Sequence, residues 1–281
     1  MTRETPITYD QRGGNVKKVE RKKMKKLGLA LGAGGSRGVA HIGFLKALEE
    51  EGIKPALITG SSMGSVVGAG YAAGVSVEKM FEAVRNLKLF DLISPSTKKG
   101  GLFDTKKMRN VLAKYIGDIQ FSDLHLPFHC MAVDMISQKT VEFSEGSVLD
   151  AGVASSSIPS IFRPTEKEGM RLIDGGILDR VPYAEAKRMG ADVVVAVDVL
   201  GQRQCSEKMP GAIGIVLSTV DIMDNYRTKM LRERDKEMID LWLEPDLGNM
   251  SQYSFKQFDF AHQRGYELGK ANVEEIKKIL E

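Results

Sequence analysis

The chain has 281 residues, of which 42% are hydrophobic and 27% charged, a composition typical of one large globular domain or two small ones. The formal charge is +3, but residues 1–26 carry nine Lys and Arg against three acids, a net of +6, which leaves −3 for the remainder. No uninterrupted apolar run reaches the roughly 20 residues that span a bilayer, and none follows the basic start as in a secretion signal, so we expect a soluble, cytoplasmic protein.

Residues 1–26 are polar and show no periodicity, which predicts a disordered basic arm. Such an arm is either a solvated tail or a peripheral contact with anionic lipid head groups. No basic stripe with interleaved aromatic residues follows it, so we expect no nucleic-acid partner. The two cysteines, Cys130 and Cys205, lie far apart and the four histidines lack the spacing of metal ligands. We therefore expect free thiols and neither a metal nor another cofactor.

Beyond the arm, short apolar runs alternate with segments of helical periodicity. The predicted strands are Lys26–Leu31, Ala56–Thr59, Phe128–Ala132 and Thr140–Phe143 as a hairpin, Met170–Ile173, Ala191–Val199 and Leu241–Glu244. The predicted helices are Val39–Glu51, Ser65–Gly74, Val77–Leu92, Asp104–Ile116, Tyr183–Met189, Ala212–Arg234 and Phe258–Leu280. Ser94–Gly101 and Ala154–Pro164 are predicted to be loops. This alternation predicts one layered α/β domain over residues 27–281 with a largely parallel sheet.

The segment Gly60-Ser61-Ser62-Met63-Gly64 matches the G-x-S-x-G nucleophile elbow and lies between a predicted strand and a predicted helix. In such an elbow a sharp turn projects the serine hydroxyl from the top of the sheet. Glycine is needed on both sides, at Gly60 and Gly64, because the strand and helix backbones approach closely there. The alternative is a structural turn serine. The context favours Ser62 as a catalytic nucleophile.

The glycine-rich segment from Gly32 to Gly38 follows the first predicted strand and exposes several backbone N–H groups, which can bind a phosphate or an oxyanion. The dinucleotide motif G-x-G-x-x-G fails by one residue in both registers, and no acidic residue follows at the distance that ribose binding needs. We therefore interpret the loop as an oxyanion hole, with Gly34 and Gly35 as N–H donors. Arg37 would fix this loop or add positive charge, and a tight turn without a ligand is the remaining alternative.

Asp174-Gly175-Gly176 stands at the end of a predicted strand and is by itself a common turn sequence. It matters because serine hydrolysis needs a base, and histidine is scarce: His41 is expected to pack inside a helix and His262 lies in the last helix. A carboxylate can take the serine proton directly if apolar surroundings raise its basicity. We expect the Ser62 hydroxyl and the Asp174 carboxylate to meet across adjacent strand ends, with Gly175 and Gly176 allowing the two backbones to approach.

These motifs together resemble the bacterial patatin-like phospholipases from about Leu27 to the C-terminus. The resemblance rests on the glycine loop ending in Arg37-Gly38, the Gly60–Gly64 elbow, the Ala154–Pro164 segment and Asp174-Gly175-Gly176. It implies a three-layer α/β/α fold with a Ser62–Asp174 dyad, an oxyanion loop containing Gly34, Gly35 and Arg37, and metal-free hydrolysis of lipid acyl esters. The chain departs from the family pattern at Ala33 and at Asp179, where a glycine and an asparagine are usual.

Two other functions remain open from the residues alone. An α/β-hydrolase triad of Ser62, Asp174 and His262 has a compatible chain order, although that fold places its oxyanion loop after a third strand and here one predicted strand precedes the loop. A regulatory or scaffolding protein on the same fold would have lost turnover. The residues fix neither head group, acyl-chain length nor oligomeric state.

Overall fold

The computed structural model of the chain describes residues 25–96, 100–201 and 211–281. The predicted arm thus lies outside the described residues except for Lys25 and Lys26, and Cys205 lies outside them as well. The described strands are β1 Leu27–Leu31, β2 Leu57–Ser61, β3 Ser94–Pro95, β4 Phe103–Asp104, β5 Phe128–Asp134, β6 Lys139–Phe143, β7 Thr165–Lys167, β8 Met170–Asp174, β9 Val193–Val197 and β10 Leu241–Leu243. The α-helices are α1 Ala40–Glu50, α2 Met63–Ala72, α3 Val77–Arg85, α4 Leu89–Leu92, α5 Lys106–Ile116, α6 Val148–Ser155, α7 Tyr183–Arg188, α8 Ala212–Arg234 and α9 Phe258–Leu280.

Eight strands form one mixed sheet in the order β10-β9-β1-β2-β5-β8-β7, with β6 also paired to β5, while β3 and β4 form a separate small ribbon. Strands β10, β9, β1, β2 and β5 run parallel, and β6, β8 and β7 are antiparallel to their neighbours. The expected α/β fold with a largely parallel sheet is therefore confirmed, and β5 and β6 form the predicted hairpin.

Helices cover both faces of this sheet, which makes three layers. Alternate residues of β1 and β9 belong to two separate apolar clusters, because successive side chains of a strand point to opposite faces. Helices α1, α2 and α9 pack on one face and α7 packs on the other. Close contact between α1 and α9 depends on glycine: a Cβ on Gly265 would lie 1.8 Å from the Ala40 carbonyl oxygen, and one on Gly43 would lie 1.9 Å from that of His262.

The pairing register along β5 positions the ends of two other strands. Ser61, the last residue of β2, pairs with Met131 of β5, and Asp174, the last residue of β8, pairs with Ala132. Strand β6 pairs with Cys130–Asp134 and so occupies the opposite edge of β5. Strands β2 and β8 therefore abut end to end along one edge of β5. The two strand ends are therefore adjacent, as expected, although β2 and β8 do not pair with each other.

Several predicted boundaries change in the structure. The predicted helix Val77–Leu92 divides into α3 and α4. The turn between β2 and α2 consists of Ser62 alone, because β2 runs to Ser61 and α2 begins at Met63. Strand β7 and helix α6 were not predicted, and α6 takes in the first residues of the segment expected to be a loop. Cys130 is buried in β5 as a free cysteine, and burial raises the pKa of its thiol. Within the described residues, no helix combines the length and the apolarity needed to cross a membrane.

Candidate active site

Ser62 is held in a strained backbone conformation between β2 and α2. Its φ is 51° and its ψ is −123°, a region that side-chain-bearing residues rarely adopt, and it is one of four described non-glycine residues with positive φ. Such strain persists only where the surrounding structure imposes it, and it clusters at functional sites. The Ser62 carbonyl accepts hydrogen bonds from the N–H groups of Ser65 and Val66 in the first turn of α2. The turn therefore projects the Ser62 side chain away from both elements.

Glycine on each side of Ser62 is a steric requirement. A Cβ on Gly60 would lie 2.5 Å from the Gly64 carbonyl oxygen, and one on Gly64 would lie 2.1 Å from that of Leu31. Both neighbours are backbone atoms in buried elements, which cannot shift as a flexible side chain can. This agrees with the sequence argument for glycine at both positions.

The side chains of Ser62 and Asp174 are in direct contact. Ser62 Oγ donates to Asp174 Oδ2 at 2.5 Å, and Asp174 Oδ1 accepts from the Gly176 N–H at 2.8 Å. Both residues are buried. Gly175 lets the chain turn against β5 at this point, because a Cβ there would lie 2.1 Å from the Met131 carbonyl oxygen. The end-to-end strands thus bring the two predicted side chains together with no third group between them.

Burial controls the basicity of the Asp174 carboxyl. Desolvation raises its pKa from 3.8 to about 6, against the opposing effect of the hydrogen bonds from Ser62 and Gly176, and the nearby carboxyl of Asp224 raises it further. A carboxylate of raised pKa is a stronger proton acceptor than an exposed one while it remains mostly ionised near pH 7. The pair can therefore transfer a proton from hydroxyl to carboxylate.

The glycine loop lies beside this pair and offers two amide groups. Neighbouring N–H groups are occupied, since Ala33 donates to the Arg180 carbonyl and Ser36 to that of Gln252, each at 2.9 Å. Among the described residues, no hydrogen bond occupies the N–H of Gly34 or Gly35, and both residues line a cavity together with Ser62. Gly35 has a φ of 52°. The loop can therefore direct two N–H groups toward a developing negative charge.

Arg37 holds this loop in place. Its side chain is fully buried and donates to the carbonyl oxygens of Val199 at 2.6 Å, Met250 at 2.9 Å and Gly248 at 3.2 Å. These carbonyls belong to the segments that follow β9 and β10, so the guanidinium ties the glycine loop to both. Arg37 does not line the cavity that contains Ser62. Of its two predicted roles, the contacts support fixing the loop.

The loop is also fixed from the side of α1. His41 is fully buried, and its Nε2 lies 2.8 Å from the Gly32 carbonyl oxygen. Burial lowers the pKa of His41 to about 4, so the ring is neutral near pH 7 and Nε2 carries the proton that it donates to the carbonyl. His41 is thus packed inside its helix, as expected from the sequence.

Ser62 and Asp174 open into a mostly apolar cavity of about 180 Å³. Its apolar walls come from three parts of the chain: Ile158 and Pro159, Ile177 and Leu200, and Val216, Leu217 and Val220 of α8. The first pair belongs to the Ala154–Pro164 segment, which was predicted to be a loop. Ligand pockets usually measure roughly 300–1,000 Å³. At about 180 Å³ this cavity lies below that range.

Helix α8 is anchored to the Asp174 turn by ionic contacts. Arg227 donates to the carbonyl oxygens of Gly176, at 3.1 Å, and Ile177. Asp224 pairs with Arg227 at 2.7 Å and with the buried Arg180 at 3.0 Å. Burial raises the pKa of Asp224, and the two arginines oppose that rise. The turn that carries Asp174 is therefore held from the side of α8.

Two features of the site escaped the sequence interpretation. Ser155, at the end of α6, accepts the Ser62 N–H through its Oγ at 2.9 Å, which stabilises the strained elbow. Its signal in the sequence is the polar cluster Ser155-Ser156-Ser157 within an otherwise apolar stretch. The Arg180–Asp224 pair and the contacts of Arg227 with the carbonyl groups after Asp174 join residues far apart in sequence, and no local pattern reveals them.

The histidines lie elsewhere. His262 stacks on Phe81 with ring centroids 4.0 Å apart, and no histidine is among the residues that line the cavity. His129 Nδ1 lies 2.8 Å from Glu185 and 3.0 Å from Glu142, a group of donor atoms close enough to hold a metal ion. Arg188 contacts both carboxylates, so Glu142 and Glu185 already have a cationic partner.

These observations define a class of α/β protein in which a serine at a strand–helix elbow contacts a buried aspartate beside a glycine loop. A family model described as patatin-like phospholipase matches residues 29–187, more than half of the chain. The chain belongs to the patatin-like phospholipase family.

Relatives of the chain are found in bacteria and fungi. An uncharacterised NTE family protein of Mycobacterium tuberculosis is 37% identical over 179 residues, which cover 63% of this chain and 49% of the relative. The lysophospholipase nte1 of Aspergillus fumigatus is 29% identical over 287 residues, covering 89% of this chain and 18% of the relative. The chain thus spans about half the length of the mycobacterial relative and a smaller part of the fungal one.

Solved structures share the fold at low sequence identity. VipD from Legionella pneumophila aligns with a TM-score of 0.61 and 14% identity, covering 90% of this chain and 67% of VipD. The type III effector protein ExoU aligns with a TM-score of 0.50 and 14% identity, covering 92% of this chain and 54% of ExoU. Structural similarity at identities this low supports the three-layer fold alone and says nothing about the substrate.

Proposed function

We propose that the chain is a serine acyl hydrolase that cleaves lipid acyl esters with Ser62 as nucleophile and Asp174 as base. The observation that carries this proposal is the 2.5 Å hydrogen bond between Ser62 Oγ and Asp174 Oδ2 in a buried, mostly apolar cavity. Membership of the patatin-like phospholipase family supports it, as does the fungal relative named a lysophospholipase.

In the proposed reaction, Asp174 accepts the Ser62 proton while Oγ attacks the ester carbonyl carbon. The carbonyl oxygen becomes an oxyanion that accepts from the Gly34 and Gly35 N–H groups. When the tetrahedral intermediate collapses, the bond to the leaving alcohol breaks and Asp174 returns the proton to that alcohol. Water then attacks the acyl-enzyme, giving its proton to Asp174. Asp174 returns that proton to Ser62 Oγ as the bond between Oγ and the acyl carbon breaks, which releases the fatty acid and free Ser62. Each amide donor of this kind contributes roughly 2.7–4 kcal/mol to transition-state stabilisation.

Hydrolysis of a soluble nitrophenyl ester and of a lysophospholipid tests the proposal. We expect Ser62→Ala and Asp174→Asn each to lower kcat by at least about 10³-fold, within the range seen when serine hydrolases lose a catalytic residue. Ser122→Ala, at an exposed serine before β5, is the matched control and should keep wild-type turnover. Wild-type turnover in either dyad variant would reject the assignment.

The same assay separates the dyad from the alternatives. A Ser62–Asp174–His262 triad predicts that His262→Ala abolishes hydrolysis, whereas the dyad predicts a change of less than about tenfold, because His262 packs on Phe81. A scaffolding protein on this fold predicts no covalent labelling of Ser62 by a fluorophosphonate probe. The direct Ser62–Asp174 contact favours the dyad over both.

Assignment to the bacterial members of the family is also part of this proposal, supported by the mycobacterial relatives. The cytoplasmic location and peripheral membrane contact through the basic arm stay predictions. Fractionation of cells, with and without high salt, tests the membrane contact, since an electrostatic contact with lipid head groups is released by salt.

A further inference from the structure

Helix α8 turns an apolar stripe toward solvent. The exposed apolar residues Ile222, Tyr226 and Met230 recur every four positions along one side of the helix, with Met223 beside them, and Ile215 and Val216 lie two turns earlier. Ile222, Met223 and Tyr226 have 63%, 67% and 69% of their surface exposed. None of these stripe residues is charged.

Beyond its cavity-lining residues, the inward side of α8 is mainly polar. Asp221 accepts from Gln252 at 2.9 Å, Asp224 pairs with Arg180, and Thr228 is buried. A surface helix of a water-soluble protein normally has the reverse orientation, with its apolar stripe packed on the core. Extended exposed apolar surface of this kind marks contact with a partner or a membrane.

The stripe is continuous with the opening of the candidate active-site cavity. Val216 and Val220 are exposed and also line that cavity. Across the opening, Pro159 lines both the cavity and a neighbouring depression that contains the exposed residues Leu102 and Met135. Apolar surface therefore flanks the opening on two sides.

Charge on α8 beside the stripe is balanced. Residues 221–235 contain four cations and four acids. Arg227 pairs with Asp224, Arg232 with Glu244 and Arg234 with Asp235, whereas Lys229 is exposed. An exposed apolar stripe bordered by polar and charged residues is the pattern of a helix that lies in the interface of a bilayer.

We propose that the exposed side of α8, together with Leu102 and Met135, is a docking face for a lipid surface. In this position α8 lies in the plane of the bilayer, and the cavity opening faces the head-group layer. The small cavity then receives the ester end of a lipid whose remaining chain stays in the bilayer. A second copy of the chain on this face would block the opening, whereas a bilayer places the substrate at it. This difference favours lipid as the occupant. The inference rests on the proposed function for its substrate, but docking itself does not require turnover.

Vesicle binding by the full-length chain carrying Ser62→Ala tests this inference without hydrolysis of the lipid. The probes are large vesicles of phosphatidylcholine with phosphatidylglycerol, and of phosphatidylcholine alone, separated by sedimentation. We expect Ser62→Ala to bind vesicles of both compositions. Adding Ile222→Ser and Tyr226→Ser should weaken its partition by at least about tenfold, because two large apolar side chains no longer leave water. The matched control adds Tyr115→Ser and Phe260→Ser, at exposed aromatic residues of α5 and α9, and should bind as Ser62→Ala does.

Failure of docking and failure of the proposed function are distinguishable. Absence of vesicle binding by a protein that hydrolyses soluble ester would overturn the docking face alone. Vesicle binding by a wild-type chain that hydrolyses nothing would overturn the proposed function alone. Equal loss of binding in the α8 and control variants would overturn the assignment to α8. A dimer in solution that Ile222→Ser and Tyr226→Ser convert to a monomer would reassign the face to a second copy.

Discussion

Replacing the buried base should stabilise the fold while it abolishes turnover. Burial raises the pKa of Asp174 from 3.8 to about 6, so ionisation of this carboxyl destabilises the folded state. The difference between those values corresponds to about 3 kcal/mol. In Asp174→Asn, the amide oxygen can still accept from Gly176, and the amide nitrogen can donate to Ser62 Oγ. The variant therefore keeps both hydrogen bonds and loses the buried charge.

The sign of the effect follows from proton binding. Between pH 4 and 6 the folded state holds the Asp174 proton more tightly than the unfolded chain does, so the free energy of unfolding of the wild type falls as pH rises through this window. Well below pH 3.8 the carboxyl is protonated in both states and carries no penalty. The penalty is about 1.6 kcal/mol at pH 5 and about 3 kcal/mol at pH 8. The stability advantage of Asp174→Asn should thus be about 1.4 kcal/mol larger at pH 8.

Urea unfolding of the wild type and Asp174→Asn at pH 5 and pH 8 measures this change. Taking the difference between the two proteins at each pH cancels the titration of all other groups. Asp259→Asn, at an exposed position in the first turn of α9, is the control, and its difference from the wild type should stay within about 0.5 kcal/mol at both pH values. An advantage of Asp174→Asn that is equal at both pH values, or larger at pH 5, would refute the argument from burial.

Three further predictions concern the same site. The kcat/KM for a soluble ester should fall about tenfold per pH unit below about pH 6, because Asp174 must be ionised to accept the serine proton, and a profile flat to pH 5 would contradict this. Gly64→Ala should lower the free energy of unfolding by more than about 3 kcal/mol, since its Cβ would lie 2.1 Å from a backbone oxygen; Gly211→Ala, with nothing within 4 Å of its Cβ, is the control. Ser155→Ala should cost about 1–3 kcal/mol in urea unfolding, because the buried Ser62 N–H loses its acceptor, and unchanged stability would remove Ser155 from the elbow.

Local sequence patterns were sufficient for the parts of the fold that depend on neighbouring residues. The bounds of α8 and α9 agree with prediction, because their helical periodicity runs without interruption for 23 residues each. The need for glycine around Ser62 was predictable for a similar reason, because a sharp turn from strand to helix leaves no room for a Cβ on its neighbouring residues. Strand β7 escaped prediction because it has three residues, none of them buried. Helix α6 escaped because its last residues share a serine cluster with the loop that follows.

Contacts between distant segments depended on the tertiary structure. The sequence predicted that Ser62 and Asp174 would meet, but their meeting depends on the register of β2 and β8 along β5, which the residues around either side chain do not encode. The raised pKa of Asp174 likewise comes from desolvation by segments that are remote in the chain.

For α8, the sequence determined that a helix forms and that it has an apolar stripe, because both follow from residues three and four positions apart. Which side of α8 faces the protein was decided by tertiary contacts, where buried Arg180 and the carbonyl groups after Asp174 bind its acidic and basic residues. The periodicity of a sequence shows which residues share one side of a helix. The side that faces the protein depends on the residues that other segments place against the helix.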